Sequence, residues 1–123
     1  MKTFVASMMA VIGAGLLVAT TVRAGDGSAE QTTTVKGEVI DMVCYLDHGA
    51  MGAKHADCAK KCISGGLPVG LRTEDGKVYL LVGEHKPLNE ELADHAAKTI
   101  SVRGKVVSRD GYHMIENAEI VKE

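Results

Sequence analysis

The chain has 123 residues, 46% of them hydrophobic, with 14 basic and 16 acidic side chains and a formal net charge of −2. That balance excludes the strongly basic surface on which nucleic-acid binding depends. One Phe, three Tyr and no Trp exclude a base-stacking platform, and the length admits one small domain.

Met1 and Lys2 form a short basic start, followed by an apolar run from Phe4 to Ala19 and then Thr-Thr-Val22-Arg-Ala24. Run length, Ala/Gly content and small residues at the expected cut describe a secretory signal peptide over residues 1–24, cleaved after Ala24. The mature protein is then expected outside the cytoplasm, periplasmic or secreted, with no membrane span after cleavage. Lys2 and Arg23 leave with the leader, so 12 basic residues face 16 acidic ones and the net charge becomes −4.

Residues 25–32 are small and polar, a flexible leader. Residues 33–43 alternate, with Val35, Gly37, Val39, Asp41 and Val43 on one face and Lys36, Glu38, Ile40 and Met42 on the other. Period two with β-branched residues predicts a strand, and Gly37 within it predicts a bulge or bend. Residues 53–64 have helical character, stopped by Gly65-Gly66. Residues 67–73 and 77–82 are two further strands joined by Glu74-Asp75-Gly76, a strong hairpin signal. Residues 88–98 predict a short amphipathic helix with Asn89 as N-cap and Leu88, Leu92 and Ala96 as its apolar stripe. Residues 99–108 and 112–121 complete the strands around a tight turn at Asp110-Gly111. Thr34-Val-Lys-Gly-Glu-Val-Ile40 is echoed by Ser101-Val-Arg-Gly-Lys-Val-Val107, two strands bent at equivalent glycines.

The expected fold is mainly β: a five-stranded barrel over 33–123. A short helix lies between strands 3 and 4, and a Cys/His-bearing helical insertion at 44–66 lies between strands 1 and 2. This order resembles the OB-fold and looks like the small exported bacterial OB-fold domains. The resemblance is at the level of fold and implies no particular ligand.

The insertion holds every cysteine of the chain, Cys44, Cys58 and Cys62, with His48, Met51 and His55 among them. His55, Cys58 and Cys62 at i, i+3 and i+7 share one face of a regular helix. Cys44, at the end of the first strand, approaches from the barrel side. Cys44, His55, Cys58 and Cys62 make a tetrahedral set suited to zinc, and thiolates with Met51 nearby suit Cu(I). His48 is an alternative ligand, because Gly49 and Gly52 let the loop fold back. The spacing C-x13-C-x3-C matches no common zinc knuckle, and the absence of C-x-x-C-H excludes c-type haem locally.

The competing expectation follows from export: a disulfide from Cys44 to Cys58 or Cys62, worth about 3 kcal/mol for a loop of this length. It leaves one thiol over, which is uncomfortable in an oxidising compartment. The residues thus point to a non-enzymatic exported domain that binds zinc or copper for structure, storage or transfer. Another exported protein is a possible partner. The alternative is a disulfide-stapled binding module that contacts its ligand through the barrel face.

Overall fold

The computed structural model describes residues 31–122. The expected signal peptide and most of the expected leader lie outside those residues. The five strands are β1 (Thr32–Asp41), β2 (Val69–Arg72), β3 (Val78–Leu81), β4 (Thr99–Arg109) and β5 (Tyr112–Val121). They close into a barrel in the order β1-β2-β3-β5-β4, consistent with the OB-like expectation. Each neighbouring pair is antiparallel except β3 with β5, which run parallel through Leu80↔Met114 and Leu81↔Ile115.

β1 is shared between two partners. Its first half pairs with β4, from Thr32↔Lys105 to Glu38↔Thr99, and its second half with β2, from Glu38↔Arg72 to Asp41↔Val69. The change of partner falls beside Gly37. A Cβ at that position would stand 2.6 Å from the Arg72 carbonyl oxygen, so glycine is there for close approach and not for a bulge. Its echo partner Gly104 does sit at a register shift, between Arg103 and Lys105. Both hairpin signals hold: Gly76 has φ 87°, and Asp110 and Gly111 have φ 51° and 86°, the left-handed pair of a type I′ turn.

The inward residues Val39, Leu71, Leu81, Val102 and Ile115 fill the barrel. Helix α2 (Ala56–Ser64) covers it with Ala59 and Ile63, and helix α3 (Asn89–Leu92) adds Leu92.

Three expectations need correction. The first strand was expected to reach residue 43 and instead ends at Asp41, where helix α1 (Met42–His48) begins. The Asp41 carboxylate accepts hydrogen bonds from the backbone N–H of Val43 (3.2 Å) and Cys44 (3.1 Å), which makes it the N-cap. Gly49, left-handed at φ 67°, stops the helix.

The helix expected over 88–98 is only α3 followed by a 3-10 turn, Ala93–His95. The chain then extends so that Ala97 N–H donates to the Val39 carbonyl and Val39 N–H to the Lys98 carbonyl. Leu88, Leu92 and Ala96 still face the core, so the stripe was legible although the helix was not.

Asn89 does not cap its own helix. Its amide donates to the carbonyls of Ile63 (2.8 Å) and Leu67 (2.7 Å), closing the end of α2. Asn89→Ala leaves two half-buried carbonyls without that donor, and is expected to cost about 1–2 kcal/mol, read as a lowered urea midpoint.

Candidate metal centre

Cys44 is the third residue of α1, held by the Asp41 cap. Cys58 and Cys62 lie one turn apart on α2, beside the buried Ala59 and Ile63 that anchor the helix. The chain between them folds back at Gly49 and Gly52, both left-handed in φ, and Gly52 N–H donates to the Glu38 carboxylate. Tyr45 accepts a hydrogen bond from Arg72 Nε at 3.2 Å, tying α1 to β2. The fold-back places the Sγ atoms of Cys44, Cys58 and Cys62 all within 4.8 Å of one another. Cys58 is exposed and the other two are half-buried.

Beneath the thiols lies Asp41, 2% exposed and the only buried charged side chain among the described residues. Burial alone would raise its carboxyl pKa. Hydrogen bonds from the Cys44 thiol, the backbone N–H of Cys44 and Val43, and the Cys62 thiol outweigh burial and hold it below the ordinary carboxylate value. The same contact pushes the Cys44 thiol up to about 12, through its hydrogen bond to Asp41, then burial and the Asp41 charge. Cys62 is also raised, first by burial and then by the Asp41 charge. The resting centre is therefore a charged carboxylate under the protonated thiols of Cys44 and Cys62. A metal must displace those protons as it binds.

His55 is not in the 4.8 Å group. It occupies the N-cap position of α2, at the end of the 3-10 turn Ala53–His55, with φ −105° and ψ 4°. The i, i+3, i+7 argument assumed regular helix from residue 53, and the 3-10 turn breaks that phase. His55 instead lines a cavity of about 10 Å³ together with Asp41, Cys44, Met51 and Cys58. His48, the alternative ligand, points away into an exposed pair with Asp47 at 2.9 Å. Lys60, exposed on α2, pairs with Asp94 at 2.6 Å and ties α2 to the turn after α3.

The remaining histidines divide. His85 is exposed, and His95 and His113 are half-buried. His113 meets the Ser108 hydroxyl at 2.6 Å and the Tyr79 ring at a centroid distance of 5.7 Å.

Sequence reasoning missed an open groove of about 640 Å³ on the barrel wall, where Met42 and Leu46 of α1 face Val78, Leu80, Val107 and Met114. Leu46 is 72% exposed and the neighbouring Tyr112 81%. The signal was present as apolar residues at the outward positions of β3, β4 and β5, but it becomes a groove only when α1 stands beside them. No helix among the described residues is long and apolar enough to cross a membrane.

Comparison of this chain with family models, with curated proteins and with solved structures finds no match in any of the three.

Proposed function

We propose that this is an exported binding domain, cleaved after Ala24, that carries a zinc or copper ion on the thiolates of Cys44, Cys58 and Cys62. One observation supports this above the others: two separate helices and a dedicated fold-back deliver three thiols to one point. Three thiolates within a few ångströms make a soft donor set. A group of three that no fourth ligand atom joins within 4.8 Å among the described residues, with one of the three exposed, suits an ion that is held and passed on better than a closed structural zinc site. A nucleophilic role for Cys44 is disfavoured by the same centre. Nucleophilic thiols have depressed pKa values, whereas Cys44 is raised to about 12.

Intact mass under native and denaturing conditions, with thiol alkylation, tests the reading on protein from its own compartment. The expected result is a metal adduct lost on denaturation, with three alkylatable cysteines. Replacing any one of the three by Ser is expected to weaken metal affinity by at least about 100-fold, since a first ligand matters more than the outer contacts whose loss costs 10–100-fold.

The groove beside α1 favours a second reading, a disulfide-stapled module whose ligand lies on the barrel face. It predicts a denatured mass two hydrogens light, one alkylatable cysteine and no adduct.

A further inference from the structure

We propose that the small cavity beside the thiols is an outer position for a Cu(I) ion, through which the ion passes between the three thiols and a partner presenting soft ligands. The proposal rests on the three-thiol reading and adds a route and an ion to it.

The cavity has a volume of about 10 Å³ and is bounded by Cys44, Met51, His55 and Cys58. That is room for a single small particle the size of one water. Cys44 and Cys58 belong both to this wall and to the three-thiol group, whereas Cys62 belongs only to the latter. An ion moving outward therefore exchanges one ligand, Cys62 for Met51 or His55, and keeps two thiolates throughout. Met51, His55 and Cys58 are all exposed, so the outer position is within reach of a second protein.

The thioether decides the ion. Thiolate and thioether sulfur together select Cu(I), and zinc gains nothing from Met51. Exposure decides the direction. Cys62 is half-buried, whereas Met51, His55 and Cys58 are exposed. Asp41 borders both positions, and a Cu(I) ion leaves three thiolates with excess negative charge facing that carboxylate, which keeps the ion exchangeable.

The transfer moves no electrons. The bond from copper to Cys62 Sγ breaks as the bond to Met51 Sδ forms. The bonds to Cys44, Cys58 and Met51 then break as the partner's soft ligands bind, the ion remains Cu(I), and the released thiolates take protons from water.

The test loads the purified protein with Cu(I) anaerobically and follows its release to the chelator bicinchoninate by absorbance. Met51→Leu is expected to keep one copper per chain and the wild-type urea midpoint, since Met51 is 38% exposed. Its release is expected to be slower by about tenfold, in line with the loss of an outer contact to a bound metal. Equal release rates for wild type and Met51→Leu overturn the outer position and leave the three-thiol site standing. So does a protein that retains zinc and refuses Cu(I). A wild-type protein that retains neither ion overturns both.

Discussion

Gly104→Ala is expected to destabilise the domain by about 3 kcal/mol, at the upper end of what overpacking costs. Gly37→Ala is expected to cost nearly as much. Neither glycine has positive φ, so the cost is space and not backbone conformation. A Cβ on Gly104 would stand 2.6 Å from Ile115 Cγ2 and 2.7 Å from the Glu116 carbonyl oxygen, where β4 and β5 shift register. A Cβ on Gly37 would meet the Arg72 carbonyl, oxygen at 2.6 Å and carbon at 2.8 Å. In both cases an obstructing atom is backbone inside a closed barrel, which cannot rotate aside as a side chain can. Gly111→Ala is the control. Nothing lies within 4 Å of its Cβ, but φ is 86°, so only conformational strain of about 1–2 kcal/mol is expected. Urea titration with unchanged m would order the three as Gly104, Gly37, Gly111. A Gly104 variant unfolding at the wild-type midpoint would refute the close strand contact.

Those two glycines also show what the sequence could disclose. Their echo, Val-Lys-Gly-Glu-Val against Val-Arg-Gly-Lys-Val, marks two places where a neighbouring carbonyl oxygen would lie within 2.7 Å of a Cβ, because only a glycine lets the backbones of a small barrel approach. Both turns were legible because Asp-Gly has few alternatives between apolar runs. Helix α1 was not, because Met42 and Val43 continue the alternation of β1 as far as residue type can show. What ends the strand is Asp41 turning inward to cap the backbone N–H groups of Val43 and Cys44, and burial of a charge is a tertiary event. The cysteines were legible by type, and the Gly49/Gly52 fold-back explains how distant thiols meet. His55 was not, because helical phase fails across a 3-10 turn. The groove was invisible, since it is made by outward residues of four elements that meet only in the folded barrel.

Asp41 joins fold and site, and replacing it should separate the two roles. Asp41→Ala removes the acceptor for two backbone N–H groups and is expected to cost about 2 kcal/mol, as the strongest N-caps do. Asp41→Asn keeps a capping oxygen and removes the charge, so much of that stability should remain while the thiols change character.

Asp41 is held below its ordinary 3.8, so its contribution is fully present above that value and is lost as pH falls through the depressed one. Cys44 is raised from 9.0 to about 12. Its contribution is fully present below pH 9.0 and is lost as pH rises toward 12. The stability gap between wild type and Asp41→Asn should therefore be widest from about pH 5 to pH 8 and narrow at both ends.

At pH 9 the Asn variant should be alkylated at Cys44 faster than wild type, because its thiolate no longer faces a carboxylate. The same loss of charge reduces the competition from protons and relieves repulsion of a thiolate-bound ion. Asp41→Asn is thus expected to hold Cu(I) or zinc more tightly than wild type at neutral pH, read by chelator competition. Weaker binding in this variant would mean that the carboxylate itself approaches the ion as a ligand.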